Sequence, residues 1–284
     1  MSLSSLYLDA FLAVAQTQGF SSAASQLNIT QSALSQRIKN LEGELGLTLF
    51  LRTPTGATLT EQGERLLRYC QTRNSLESEL IQELNGIKTF EISGTIRLAA
   101  YSSVLRSVII PALQPLLEKH PQILCNFICS DMSELPGLLQ RNEVDCIVMD
   151  YKMERANLET LTLGQEKYVL IEGRTKGSGR EDIFLDNDST DRATENFFKS
   201  QGKKSVKYRR SYFDDCYGII DGVTRGLGKA VMPEHLVADN NQVKISKDFK
   251  SYKVDVVLHY YHQPFYSKLH QAVVEALIQN GVRP

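Results

Sequence analysis

The sequence predicts an α+β protein of several domains, in which a small helical unit, a linker helix and a two-lobed α/β domain follow one another. Its 284 residues exceed what one small hydrophobic core accommodates. Short pieces with helical periodicity precede one long helical segment, and after position 93 strands alternate with helices, as in α/β sheet domains. We expect the domains at 1–59, 60–88 and 89–284, the last with one lobe from 89–163 and 262–284 and another from 164–261.

Composition and charge restrict the class of protein. Hydrophobic residues make up 42% and charged residues 23%, as in ordinary globular proteins, and the formal net charge is −1. Because no polybasic tract exists, any binding of nucleic acid must depend on a local surface. The chain start lacks the pattern of a signal peptide, and no apolar stretch approaches the roughly 20 residues of a membrane span. We therefore expect a cytoplasmic protein without a membrane partner.

Five scattered cysteines argue against a disulfide framework. Cys125 and Cys129 lie on one face of a predicted strand, where we favour core packing over metal binding because no second pair has zinc-like spacing. We predict no metal and no cofactor.

Two short helices joined by a tight turn predict a helix-turn-helix near the N-terminus. We expect the first helix at 23–27 and the second at 31–44, between Thr30 as N-cap and Gly46 as terminator. In a helix-turn-helix the second helix lies in the DNA major groove. Its apolar residues recur at 4-3-4 spacing and define one buried face: Leu34, Ile38, Leu41 and Leu45.

The remaining faces of this second helix carry candidate DNA contacts. Glutamine can read adenine with two hydrogen bonds, serine adapts to several partners, and lysine meets phosphate. The helix N-terminus also favours phosphate oxygens. For an isolated helix the alternative is an ordinary solvated polar face. The candidates are Gln31, Ser32, Ser35, Gln36 and Lys39.

A hairpin and a long helix follow. Two β-prone runs, at 47–51 and 57–60, surround the turn sequence TPTG. From 60 to about 87 apolar residues recur every 3.5 positions or so, about the spacing that suits pairing with another helix, although Arg73 interrupts them. We call this set the apolar seam; it comprises Leu66, Tyr69, Leu76, Leu80, Leu84 and Ile87.

Farther along, two sets of strands and helices with a late return strand and helix predict two lobes linked by two crossovers. Helices are expected at 104–119, 132–141, 191–201, 214–225 and 265–280. Strands are expected at 95–100, 123–129, 146–149, 168–171, 183–185, 205–208, 230–232 and 253–260.

Several motifs resemble those of one family. FSSAA at 20–24, TQSALSQRI at 30–38 and LTEQG at 59–63 are similar, in identity and spacing, to the DNA-binding segment of LysR-type transcription regulators. GLGKAVMP at 226–233 and LLQRNEVD at 138–145 resemble two segments of that family's effector domain. The resemblance is strong at the N-terminus and looser beyond it.

The resemblance implies a winged helix domain, a dimerising linker helix, and an effector domain of periplasmic-binding-protein type with a cleft between its lobes. It implies promoter DNA, a small-molecule effector and further copies of the chain, as homodimer or dimer of dimers, as partners; RNA polymerase is a further candidate. Ser21 belongs to the DNA-binding segment. Arg52 would be the wing cation beside DNA, with a solvated turn charge as the alternative. Asn142 stands where the family often has Gly, which concerns local turn geometry.

The motifs TQSALSQRI and TEQGE are most similar to the subgroup that senses arginine or lysine and controls export of basic amino acids. In two-lobed domains ligands bind at strand ends and helix N-termini, where serines can hold a carboxylate and acidic side chains a cation. Each single Asp can instead be a helix cap. The candidates are Ser102, Ser103, Asp131, Asp150, Asn187, Asp188, Asp214, Asp215 and Pro233, with Met132, Asp186 and Glu234 beside them.

Two other functional classes fit the sequence less well. The five histidines show no metal spacing, and no nucleophile elbow, P-loop or dinucleotide fingerprint supports an enzyme. A periplasmic solute-binding protein would need a signal peptide and no helix-turn-helix. We therefore predict a regulator rather than an enzyme, with a basic amino acid as effector and an aromatic or organic acid as the alternative.

Overall fold

The computed structural model describes residues 3–53, 56–84, 92–155, 157–174, 180–202 and 206–282, without the side chains at 52, 53, 82 and 83. The N-terminal part contains the two predicted helices and the predicted hairpin, preceded by a further helix. Its elements are α1 (Ser5–Thr17), α2 (Phe20–Gln26), α3 (Gln31–Leu45), β1 (Phe50–Thr53) and β2 (Gly56–Leu59).

Local capping sets the ends of α2 and α3. The helix α2 begins at Phe20, so the predicted start at Ala23 was wrong; Gly19 has an extended backbone and occupies the cap position. Thr30 caps α3 as predicted, since its hydroxyl accepts a hydrogen bond from a backbone N–H of the first turn at 3.2 Å. Gly46 ends α3 in the left-handed conformation, with φ of 66°.

The hairpin packs closely against the three helices. The Ala57 N–H donates to the Gln18 carbonyl oxygen at 2.8 Å. A Cβ atom at Gly56 would lie 2.4 Å from that same oxygen, so only glycine permits this approach. The ring of Phe50 lies 5.2 Å from that of Phe11 in the core. The wing is therefore fixed on the helical core by backbone and by side-chain contacts.

The long helix α4 (Glu61–Leu84) changes environment along its length. Leu67 and Cys70 in its first half are buried in the core of the N-terminal domain. Leu80 and Leu84 in its second half are 54% and 77% exposed. The predicted Ile87, at the end of the apolar seam, lies outside the described residues. The second half of α4 therefore presents an apolar face that its own chain leaves uncovered.

The C-terminal part is built on a mixed sheet. Its strands are β3 (Gly94–Ala100), β4 (Ile123–Cys129), β5 (Cys146–Met149), β6 (Leu158–Gly173), β7 (Ile183–Asp186), β8 (Arg209–Tyr212), β9 (Ala230–Pro233), β10 (Val243–Ile245) and β11 (Tyr252–Tyr261). Seven of them form one sheet in the order β10-β6-β11-β5-β3-β4, with β9 added beside β6. The strands β7 and β8 form a separate parallel pair.

Helices cover this sheet. One helix beginning at 104 was predicted after β3. The structure has three consecutive pieces there, namely two α-helical segments with a π turn between them. Pro111, which lacks an N–H, is the second residue of the later α-helical segment. The bounds are α5 (Ser102–Val104), the π turn (Leu105–Ile109), α6 (Ile110–Lys119), α7 (Leu135–Gln140), α8 (Ala193–Ser200), α9 (Cys216–Thr224), a 3₁₀ turn (Glu234–Leu236) and α10 (Lys268–Asn280).

Two long antiparallel strands, β6 and β11, correspond to the predicted crossovers. One buried apolar cluster lies at one end of this pair and includes Leu98, Ile109 and Val273. Another lies toward the other end and includes Ile171 and Val223. Separate clusters joined by two long strands agree with the predicted two-lobed architecture.

Three strand predictions were wrong in position or length. The strand predicted at 47–51 lies at Phe50–Thr53, the one predicted at 205–208 lies at Arg209–Tyr212, and β6 is much longer than the predicted 168–171. In addition, β10 was not predicted. Strands form by pairing with partners distant in sequence, and local pattern specifies such pairing weakly. Core packing was also wrong for Cys129, which is exposed at the end of β4, whereas Cys125 packs against the core.

Asn142 shows why its departure from glycine is tolerated. Its backbone keeps the left-handed conformation, with φ of 55°. Its side chain accepts a hydrogen bond from Arg68 at 3.3 Å and donates one to the Glu64 carbonyl at 3.4 Å. Asn142 therefore connects α4 to the α/β domain through contacts that glycine cannot make.

Candidate nucleic-acid interface and ligand cleft

The helix α3 buries one face and presents the other to solvent. Its predicted apolar positions Leu34, Ile38 and Leu41 are fully buried. The predicted contact residues lie outside this face: Ser35 is half-buried, while those exposed are Ser21 on α2 and Gln31, Ser32, Gln36 and Lys39 on α3. The sequence therefore predicted correctly that these side chains lie outside the buried face of α3. Their contacts with DNA stay a prediction.

A small hydrogen-bond network organises the start of α3. The Ser21 hydroxyl donates to Gln31 Oε1 at 3.3 Å, which connects α2 to α3. The hydroxyls of Thr30 and Ser32 are 3.0 Å apart. With Oε1 held in this way, the amide group of Gln31 is oriented and its N–H donors are turned away from Ser21.

Farther along α3, Gln36 begins a series of hydrogen bonds between side chains. Its Nε2 donates to Asn40 Oδ1 at 2.7 Å, and Asn40 in turn donates to the Tyr7 hydroxyl at 3.2 Å. Asn40 and Tyr7 were not predicted as part of this surface. The spacing of four residues between Gln36 and Asn40 was the available signal, since such pairs are neighbours on a helix.

The wing cation cannot be placed. Arg52 belongs to β1 and pairs in register with Ala57, but its side chain lies outside the described part of the structure. Its contact with DNA therefore stays a prediction.

In the α/β domain one hydrogen bond crosses the predicted cleft. The Tyr101 hydroxyl, directly after β3, donates to Oδ1 of Asn187, directly after β7. Ser102 is half-buried beside it, whereas Ser103 is only 4% exposed. Tyr101 was not among the predicted cleft residues, although its position after a strand was a usable signal.

Acidic side chains from several segments converge around this hydrogen bond. Burial raises the pKa of Asp131, and the negative charges of Asp214 and Asp188 raise it further. The pKa of Tyr101 is raised by burial and then by Cys216 and three carboxylates, of Asp191, Asp131 and Asp215. Groups that shift one another's pKa in this way are close in space. Four of the predicted candidates, Asp131, Asp188, Asp214 and Asp215, therefore share one site.

Two of these carboxylates already accept hydrogen bonds from other groups of the chain. Asp215 caps α9 by accepting from the Gly218 N–H at 2.7 Å. Asp188 accepts hydrogen bonds from Thr190 and Asn187 and from the Asp191 N–H, and its pKa is lowered by these bonds. Both residues are therefore helix or turn caps, whatever else they contact.

Two carboxylates accept no such hydrogen bonds. Across the described residues, no hydrogen bond or ion pair holds the side chains of Asp131 or Asp214, and both are exposed. Asp150 is exposed, yet burial raises the pKa of its carboxyl. A side chain that solvent reaches but that protein surrounds on several sides is typical of the wall of a cleft.

Two further candidates, Asp186 and Pro233, are held by contacts within the fold. Asp186 is buried, forms an ion pair with Arg210 and accepts a hydrogen bond from Thr194 at 2.6 Å, so its charge is already balanced. Pro233 is buried and pairs with Tyr168 in the sheet.

Metal sites and membrane spans were also considered. Within the described ranges, no group of three His, Cys, Asp or Glu side chains is arranged to hold a metal ion. None of the helices among the described residues combines the length and apolar character that crossing a bilayer requires.

Comparison with known protein families gives two matches. Residues 7–64 match the family described as "Bacterial regulatory helix-turn-helix protein, lysR family". Residues 91–281 match "LysR substrate binding domain". Together the matches cover both ends of the chain and most of its length.

Curated relatives are similar over parts of the chain. A putative transcriptional regulator of Pseudomonas aeruginosa is 41% identical over 118 residues, which are 41% of this chain and 38% of that protein. The regulator ArgP of Yersinia pestis is 39% identical over 137 residues, 48% of this chain and 44% of that protein. The chain thus matches less than half the length of either relative.

Solved structures show a similar fold over the whole chain. Full-length LysG from Corynebacterium glutamicum, with bound effector Arg, has a TM-score of 0.76 at 22% identity and covers 99% of this chain and 100% of its own. ArgP from Mycobacterium tuberculosis has a TM-score of 0.81 at 20% identity, with coverage of 98% and 97%. The fold and both family matches agree with the predicted resemblance: the chain belongs to the LysR family of bacterial regulatory helix-turn-helix proteins.

Proposed function

We propose that this protein is a DNA-binding transcription regulator whose activity is set by a basic amino acid bound in the acidic cleft. The observation that carries the effector class is the convergence of Asp131 and Asp214, two exposed carboxylates without a partner among the described residues. Burial raises the pKa of Asp131 and the charges of Asp214 and Asp188 raise it further, so a bound cation would relieve that repulsion.

The relatives support this effector class. The solved LysG structure carries arginine as its effector. One ArgP protein has a similar fold, and another is 39% identical over 48% of this chain. A ligand that binds the closed cleft better than the open one would shift the arrangement of the regulator on DNA by that difference in affinity.

Replacing Asp214 with Asn is expected to weaken binding of arginine or lysine about tenfold, because one charge-assisted hydrogen bond is lost. Calorimetry with the full-length chain against arginine, lysine and glutamine measures this. The control is Asp239→Asn, an exposed Asp outside the cleft segments. Binding of only neutral, aromatic or anionic compounds would exclude a basic effector.

The remaining organisation follows from the family. We propose a DNA-binding domain at 1–59, a linker at 60–88 that joins two copies, and an effector domain at 89–284 with the lobes predicted above. Promoter DNA as the partner places the protein in the cytoplasm, and RNA polymerase is a further candidate partner. No catalytic step is needed for this function.

Alanine at Gln31 or Ser35 is expected to weaken binding of the specific operator by about 1–3 kcal/mol, if each side chain contacts a base. Alanine at Lys39 or Arg52 should instead weaken the binding of all DNA sequences alike. It should also reduce the salt dependence of the affinity, because phosphate contacts release counterions. Fluorescence anisotropy with operator and random duplexes, over a salt series, separates the two effects.

The control for these variants is Glu44→Gln, at the exposed far end of α3. Folding is checked by circular dichroism. Unchanged operator affinity in all four alanine variants would contradict the assignment of this surface to DNA.

A further inference from the structure

A second cavity lies beside the acidic cleft and has not been assigned to any function. Its volume is about 330 Å³. It is bounded by the segment from the π turn into α6, by the middle of β6, by the 3₁₀ turn after β9 and by the residues that follow α10. Its size is at the lower end of cavities that hold small organic ligands.

A buried carboxyl group forms part of the wall. The side chain of Glu166 on β6 is only 4% exposed, and its Oε1 has no hydrogen-bond partner among the described residues. The nearest histidine, His235, places its Nε2 3.6 Å from this oxygen, beyond hydrogen-bond distance. An unpaired buried carboxylate opposes folding, so its presence calls for a functional explanation.

Among the described residues, no positive charge compensates Glu166. Burial and, to a smaller extent, the negative charge of Asp150 raise its pKa to about 7. Burial lowers the pKa of His235, which therefore tends to be neutral. The other charged residues at the cavity are Lys167, exposed on β6, and Glu234. A positively charged ligand would supply the counter-charge for the Glu166 carboxylate.

Part of the cavity wall is apolar. Val108 and Pro111 contribute from one side and Val282 from another. These side chains can pack against a short hydrocarbon chain but offer it no hydrogen bonds. His235, whose side chain is 36% exposed, lies against Oε1 and can rotate toward solvent to admit a donor.

We propose that this cavity is a second ligand site, which binds a small alkylammonium compound with its ammonium group on Glu166 and its hydrocarbon chain against Val108, Pro111 and Val282. The site is separate from the acidic cleft and uses different residues. It is coupled to the cleft, because Glu166 interacts with Asp150 and because Glu234 directly follows the cleft residue Pro233.

Titration of the full-length chain with n-butylammonium chloride at pH 8, followed by ligand-detected NMR, tests this site. We expect saturable binding with a Kd of about 1–10 mM, as is usual for so small a ligand. Binding should weaken about tenfold at pH 6, where most Glu166 is protonated. Glu166→Gln should weaken it at least as much at pH 8, whereas His235→Ala should preserve or strengthen it.

Two controls separate this site from others. Neutral n-butanol has a similar shape and should show no saturable binding, which tests the need for charge even if Glu166→Gln folds poorly. Asp214→Asn in the acidic cleft should leave the Kd for n-butylammonium unchanged, because Asp214 does not line this cavity. Binding lost in Asp214→Asn, equal binding in Glu166→Gln, or no saturable binding by about 50 mM would each overturn the proposal.

Discussion

Replacing Leu80 with Glu is expected to separate the proposed homodimer into monomers while leaving the fold of each chain intact. Leu80 is 54% exposed in the single chain, so a charge there does not disturb the chain's own core. In a helix-paired dimer the same side chain would be buried against the partner, and an unpaired charge in such a place costs several kcal/mol. A symmetric interface would contain the change twice.

The apolar seam supports this expectation. Tyr69, Leu76 and Leu84 are also exposed on α4, and Phe265 adds a further exposed ring beside them. Contiguous exposed apolar surface of this kind marks an interaction site in soluble proteins. We therefore expect the Kd of the dimer to rise roughly 100-fold or more. Operator affinity should fall with it, because two recognition helices no longer bind together.

Light scattering with sedimentation at micromolar concentrations measures the change. Ser78→Glu is the matched control, since Ser78 lies on the opposite side of α4 and is exposed. A wild-type chain that is already monomeric, or a Leu80→Glu variant that remains dimeric, would show that the seam does not join the copies.

Replacing Glu166 with Gln is expected to stabilise the protein above neutral pH and to have little effect near pH 5. The pKa of Glu166 is about 7 in the folded chain, against its ordinary value of 4.5. The protonated form is therefore favoured by folding: its contribution is complete below pH 4.5 and is lost as the pH rises through about 7. The corresponding free energy is at most about 3 kcal/mol.

Urea unfolding of both proteins from pH 5 to pH 8, without ligand, measures this contribution. The difference in the free energy of unfolding between Glu166→Gln and wild type should grow with pH across that range. Glu234→Gln, in the same cavity wall but partly exposed, is the control. Parallel pH profiles for wild type and Glu166→Gln would mean that Glu166 is not held as a buried, unpaired acid.

The N-terminal domain was predictable because its determinants are local. Thr30 and Gly46 end α3 through contacts within one helical turn, and the spacing of Leu34, Ile38 and Leu41 fixes its buried face. The start of α2 was misplaced by three residues, because an extended Gly19 can precede a helix without a side-chain cap. The general alternation of strands and helices was also legible from sequence.

Sequence alone thus determined the family resemblance, the recognition helix and the order of the domains, since these depend on motifs and on periodicity. Only the tertiary structure decided which acidic residues meet: Asp131 and Asp214 are far apart in sequence, and their mutual repulsion exists only after the sheet has formed. It likewise decided that Asp186 is neutralised by Arg210, whereas Oε1 of the buried Glu166 has no hydrogen-bond partner among the described residues. Burial and charge pairing are properties of surroundings assembled from distant segments, and no local pattern encodes them.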